Sequence, residues 1–266
     1  MNRPYPCSGY ALEDHPTIHK SDLLHGFAAL GLCDGDALFF HSSLRSFGYV
    51  EGGADTVIDG AVEAVGESGT VVVPTFVQKV NGESATYRTR LEAWNIGSSP
   101  SDVGHITEVF RRRPEAVRSD HCCDSLAAIG ADAGSAMDGH RHAGPRFSPW
   151  DEKAFGHGSP WDWLVERNAL YLLMGVGFNV CSIFHFNQAL WVERIYADKG
   201  TSRMWPGFNF SVMGERVKSA GLVSQVCVGP SVWQAFRVIP TLEYVSRVLR
   251  DEPSLITLSP LKLYGE

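Results

Sequence analysis

Residues 37–77 set out a strand, a polar break, a helix and a second strand in immediate succession, and the rest of the chain has to fold around them. Ala37–Phe40 is an apolar run of strand length, cut off at once by His41-Ser42-Ser43. Gly48, Gly52 and Gly53 mark the turn region that follows. From Ala54 to Val65 the apolar residues fall at Val57, Ile58, Ala61, Val62 and Val65, the spacing of a helix packed along one face. Gly66 and Gly69 end that helix, and Thr70–Val73 is a continuous β-branched run suited to a strand covered on both faces. A strand, crossover helix and parallel strand in one sheet connect in the right-handed sense almost without exception. Ligands of such sheets gather outside the carboxyl ends of the strands. The site is therefore expected around His41, Ser42, Ser43 and Pro74-Thr75.

The remainder of the chain supports an α/β reading: a central, mostly parallel sheet with flanking helices and a smaller inserted or appended portion. At 266 residues and 44% hydrophobic content the chain can bury a sizeable core. We expect an N-terminal arm over 1–20 and a single α/β domain over 21–266. No apolar stretch approaches the ~20 residues that span a bilayer, and the first residues lack the apolar core of a secretory leader. A net charge of −7 argues against a nucleic-acid partner. The six cysteines show no framework spacing and read as reduced thiols of a cytoplasmic protein. Oligomeric state is left open, a homodimer included.

Further along, Ser21 is placed to cap a helix over 22–32, and Ser101-Asp102 to cap another over 103–113, which Pro114 ends. The polar stretch between Phe76 and Pro100 reads as a functional loop or lid. Residues 117–119 and 125–129 look like strand edges, 145–161 like a Pro- and Gly-rich loop, and 161–167 like a short helix. Leu170–Met174 is another buried strand, followed by the turn Gly175–Asn179 and a helix from about Ser182. Strands are expected at 208–212 and 224–228, and an amphipathic helix over 241–250.

His41, His121 and His185 all fall in polar breaks beside strands, where three imidazoles can converge on one cleft. His185 is the strongest of them, because it opens a helix directly after a strand and can offer one ring nitrogen to a substrate while a neighbour orients the other. Metal chemistry is poorly represented. His140 and His142 sit two apart, His15 and His19 flank Pro16, and neither His-Glu-x-x-His nor Cys-x-x-Cys occurs. Cys122-Cys123 beside His121 could supply a thiolate, but adjacent residues of an extended segment point opposite ways. Gly175-Val176-Gly177 lacks the third glycine of a dinucleotide cradle.

Taken in order, these segments resemble the aminoglycoside 3-N-acetyltransferase family. The matching stretches are His41-Ser42-Ser43-Leu44-Arg45-Ser46-Phe47-Gly48, Glu51–Val57, Gly69-Thr70 with Pro74-Thr75-Phe76, and Pro100–Gly104. They continue through Arg118-Ser119 with His121, Phe155-Gly156 with Ser159-Pro160-Trp161, and Gly175–Asn179 with Ser182 and Phe184-His185. The resemblance implies a soluble enzyme moving acetyl from acetyl-coenzyme A (acetyl-CoA), without a metal, to an amine of an aminosugar. His185 is then the expected general base, with His41 and His121 nearby, oriented by Gln188 or by an acid such as Asp124 or Glu193. Cofactor contacts are expected from Ser42, Ser43, Leu44, Phe47, Ser101, Val103, Phe155 and Ser159. The tetrahedral oxyanion would meet backbone N–H groups of the 41–44 loop or of the helix near Asp102. Glu92, Asp124 and Glu193 are the carboxylates expected to receive a cationic acceptor. Two positions depart from the family pattern: Gln188 stands where a Glu is usual, and His121-Cys122 where His-Pro is usual. A neutral amide orients an imidazole without raising its basicity. The departures keep two alternatives in view: the same chemistry on an amine of a biosynthetic intermediate, and a non-catalytic relative that binds coenzyme A.

Overall fold

The computed structural model describes residues 16–196 and 204–260. In chain order its elements are α1 (Lys20–Ala29), β1 (Ala37–Ser42), α2 (Gly53–Val65), β2 (Thr70–Pro74), β3 (Lys79–Val80), β4 (Glu83–Ser84), α3 (Tyr87–Ala93) and α4 (His105–Phe110). These are followed by β5 (Val117–Arg118), β6 (Leu126–Gly130), α5 (Ala133–Met137), α6 (Pro160–Glu166), β7 (Leu170–Met174) and α7 (Ile183–Tyr196). The last are β8 (Met204–Gly207), α8 (Phe210–Ser219), β9 (Ser224–Val228), β10 (Ser231–Arg237), α9 (Val238–Asp251) and β11 (Thr257–Pro260).

Seven strands form one sheet in the order β5-β6-β2-β1-β7-β10-β9. The central trio β2, β1 and β7 pairs in parallel, with Ala37 opposite Thr70 and Leu38 opposite Leu170. Outside it, β6 and β10 run against their neighbours, so five of the seven strands point one way. The expected β1–α2–β2 unit is present, with β1 extended by two residues to carry His41 and Ser42 on the strand itself.

Alternation along each strand sorts the core into two layers. Phe39, Val72, Tyr171, Leu173 and Phe236 face a layer built from α5, α6, α7, α8 and α9. Leu38, Phe40, Val71, Val73 and Leu172 face α1, α2 and α4. Helices on both faces explain why these strands read as unbroken apolar runs.

Several expected boundaries shift. Asp22 accepts from the His19 backbone N–H (2.8 Å), so α1 starts before Ser21. The helix expected over 103–113 is the six-residue α4, entered through Gly104 at φ 140°. Residues 208–212 are not a strand: Asn209 accepts from the Val212 N–H (3.1 Å) and starts α8. The expected arm over 1–20 lies outside the described residues up to position 15. Its end is docked, for Ile18 is buried and its N–H donates to the Tyr49 carbonyl (2.9 Å). Cys33, Cys122, Cys123 and Cys181 are free thiols, whereas Cys227 is disulfide-bonded, an exception to the reduced reading. Among the described residues no helix is long and apolar enough to cross a membrane.

Candidate active site

The carboxyl ends of β1, β2 and β7 open into a cleft of about 890 Å³. Ser42 ends β1, Pro74 ends β2 and Val176 follows β7, and all three line it. A second cavity of about 490 Å³ adjoins it, and His185, Asn179 and Phe210 line both. Of His41, His121 and His185, expected to converge on one cleft, His41 and His185 line it and His121 does not.

His185 lies in the first turn of α7, which the Gly175–Asn179 turn delivers to the end of β7. Its ring is held between Trp150, edge-on at 4.7 Å, and Phe210 at 4.8 Å. Its Nδ1 is 2.6 Å from Gln188 Oε1, and Gln188 Nε2 donates to the Pro206 carbonyl (2.5 Å). That carbonyl only accepts, so the amide must present its NH2 to Pro206 and its oxygen to the ring. Gln188 Oε1 in turn requires a proton on His185 Nδ1. The lone pair is thereby assigned to Nε2. Burial lowers His185 to about 4, with the Gln188 hydrogen bond working in the opposite direction. The imidazole is neutral at pH 7 and available as a base.

His41 is buried, its Nε2 2.8 Å from the Tyr171 hydroxyl, which also accepts from the Ile183 N–H at the start of α7. Burial lowers His41 to about 3. His121 accepts at Nδ1 from the Asp124 N–H (2.9 Å), stacks on His140 at 4.7 Å, and has a buried Nε2 without a hydrogen-bond partner among the described residues. Burial holds its pKa at about 3 as well. Asp124 lines the cleft, its Oδ2 lies 4.0 Å from His121 Nδ1 and has no hydrogen-bond partner among the described residues, and burial raises its carboxyl well above the ordinary range. Beside it, Arg90 spans the wall, donating to the Ala85 carbonyl (2.9 Å) and to Cys123 Sγ (3.6 Å).

A family model described as Aminoglycoside 3-N-acetyltransferase matches residues 39–207, which hold most of β1, most of the cleft lining and His185. This chain belongs to that family. Among curated relatives, aminoglycoside N(3)-acetyltransferase VII of Streptomyces paromomycinus is 33% identical over 184 residues, covering 65% of this chain and 61% of that protein. Aminoglycoside N(3)-acetyltransferase IX of Micromonospora chalcea is 30% identical, with 65% and 62% covered. The match spans about three fifths of each relative's length. Among solved structures, AAC(3)-Xa superposes with a TM-score of 0.72 at 26% identity, covering 90% of this chain and 94% of that one. The binary complex of AAC-IIIb with CoASH gives 0.70 at 22%, covering 92% and 100%.

Not every residue expected from the aminoglycoside 3-N-acetyltransferase resemblance reaches the cleft. Ser42, Val103, His41, Asp124 and His185 line it, and Gln188 lines the adjoining cavity. Phe47 is fully buried against Trp233, and Phe155 is buried among Trp150, Trp161 and Phe186, so neither side chain is free for a cofactor. Ser159 is buried and caps α6, accepting from the Asp162 N–H (3.3 Å). Ser101 bonds Thr107 and Glu108, and the Ser43 N–H is taken by the Met174 carbonyl (3.0 Å). Ser43 and Leu44 are half-buried and do not line the cleft. The Asp102 N–H donates to the Phe76 carbonyl, so that end of the 101–104 segment is not a spare donor for an oxyanion. Glu92 is exposed on α3 away from the cleft, and Glu193 pairs with Arg146 and His157. Arg90, Trp150 and Phe210 were not foreseen. Among the described residues, His, Cys, Asp and Glu side chains form no group of three able to hold a metal ion.

The turn that delivers α7 depends on Gly175, which has φ 66°. A Cβ there would fall on Ser46 Oγ, which is paired with Ser231 Oγ at 2.8 Å. Gly175→Ala is expected to cost about 2–3 kcal/mol from the left-handed backbone and the overlap together. A shifted denaturant midpoint at unchanged slope measures it.

Proposed function

We propose that this chain transfers acetyl from acetyl-CoA directly to an amine, with His185 as the general base. The observation that carries the reading is the Pro206–Gln188–His185 chain of hydrogen bonds, which leaves a basic nitrogen at a wall shared by two cavities. Family membership supports an acyltransferase, and the CoASH complex of a protein with the same fold supports coenzyme A as the carrier. The larger cavity is of a size to accept the pantetheine arm and the smaller one the acceptor. The cytoplasm supplies the thioester.

The amine attacks the thioester carbonyl while His185 Nε2 takes its proton. The tetrahedral intermediate then collapses, expelling the coenzyme A thiolate, and the proton passes from the imidazolium to that sulfur. Ser42 and Asn179, which line the cleft with His185, carry the donors proposed for the oxyanion. The Tyr171 hydroxyl ties His41 on β1 to the start of α7, keeping the two sides of the cleft in register. Cys123, which lines the cleft, is buried against the Cys122 thiol at 3.8 Å and is pushed up by that hydrogen bond and by burial. That state favours direct transfer over an acetyl-cysteine intermediate.

Thiol release from acetyl-CoA across a panel of amines tests the activity; binding of coenzyme A without release from any of them would rule out transfer. The role of position 188 is tested by Gln188→Glu. A carboxylate at Nδ1 favours the imidazolium, so the pKa of His185 rises from about 4 and the acid limb of kcat/KM moves to higher pH. The shift is expected to be about one to three units. An unmoved limb would count against contact between the two side chains in the working enzyme.

A further inference from the structure

We propose that the acceptor is a weakly basic monoamine on an otherwise uncharged body, and not a polycationic aminosugar. This rests on the acetyl-transfer reading and concerns the walls of the same site. Among the described lining residues of the larger cavity, the only Asp, Glu, Lys or Arg side chains are Arg90, Asp102 and Asp124. Asp102 Oδ2 already accepts from the Gln78 (2.7 Å) and Lys79 (2.9 Å) N–H groups. Asp124 is 6% exposed, and its Oδ2, without a hydrogen-bond partner among the described residues, offers one place for one amine or hydroxyl. Among the described lining residues of the second cavity there is no acid or base of these four kinds; Phe208, Asn209, Phe210 and Ser211 supply one stretch of its wall.

Each further ammonium brought from water into these walls loses hydration without gaining a carboxylate, and meets the Arg90 guanidinium. Gln188 extends the pattern to the reacting centre. A Glu there would place an anion one side chain from the attacking nitrogen, whereas the amide places none, so no charge draws an ammonium toward His185. A neutral imidazole held down by burial is a weak proton acceptor and suits an amine that arrives unprotonated. Aromatic walls favour an uncharged body beside that nitrogen.

The test is calorimetric titration of the coenzyme A-loaded protein with sisomicin, a polycation, and with glucosamine, a sugar carrying one amine, at low and high salt. Thiol release is measured in parallel. Glucosamine is expected to bind at least tenfold more tightly than sisomicin, with little salt dependence. Asn209→Asp keeps the oxygen that caps α8 and adds a charge to that stretch of wall. It is expected to raise sisomicin affinity about two- to fivefold and glucosamine affinity by a smaller factor. Sisomicin binding tenfold more tightly than glucosamine, with affinity falling as salt rises, would overturn the inference, as would binding of neither. Thiol release from no amine would remove the transfer reading alone, because the order of the two affinities is read without turnover.

Discussion

With His185 replaced by alanine, kcat for acetyl transfer is expected to fall about 10²–10⁴-fold, the usual contribution of a positioned general base. KM for acetyl-CoA should stay nearly constant, since the imidazole meets the carrier's sulfur only after the amine has attacked. The substitution is mild structurally. His185 is only half-buried, stands in the first turn of α7, and alanine favours a helix. Trp150 and Phe210 lose a ring between them, but they keep their contacts to Trp205 and Phe184. Two measurements separate loss of the base from loss of shape: an unchanged melting transition, and partial recovery of rate on adding free imidazole. Turnover within about threefold of the parent would dismiss His185 as the base.

Arg146→Met is expected to destabilise the protein by about 3–5 kcal/mol, the usual consequence of removing one partner from a buried ionic cluster. Arg146 is 4% exposed. Its guanidinium donates to Glu193 (3.0 Å), to Asp162 (3.2 Å), to the Phe155 carbonyl (2.6 Å) and to His157 Nδ1 (3.0 Å), and lies 4.7 Å over the Phe186 ring. Methionine fills much of the space but leaves a buried carbonyl and two carboxylates without their shared cation. The damage reaches the site, because the segment Arg146 holds down carries Trp150 and Phe155, which flank the His185 ring. Equilibrium denaturation measures the loss. Arg146→Lys should recover only part of it, since an ammonium keeps the charge but cannot make the four-way fork. A midpoint within error of the parent would show that the cluster carries no stability.

The βαβ unit was legible because both faces of its strands are covered, which forces unbroken apolar runs, and because glycines close its helix. The pairing of His185 with Gln188 was legible too, from positions one helical turn apart. What the residues could not disclose was the contact network of turn-rich segments. Nothing in the stretch 145–161 marks Arg146 as its anchor, since its partners lie up to 47 positions away. Phe155 and Ser159 match the family pattern, yet they serve the interior, one as packing and one as a helix cap. Over residues 208–212 alternation and helical spacing both fit so short a run, and the Asn209 cap decided between them. The carboxylates expected to meet the acceptor were judged by type alone; Glu92 faces solvent, and Glu193 is held by Arg146 and His157.

The group that orients Gln188 is a main-chain oxygen at the inner end of β8, not another side chain. Sequence drift at position 206 therefore leaves that acceptor in place so long as β8 keeps its partner strand. The imidazole's tautomer is insulated from most single-codon changes around it. Evolutionary retuning of the proton acceptor has one short route, through codon 188 itself, and an acid there would set two oxygens face to face.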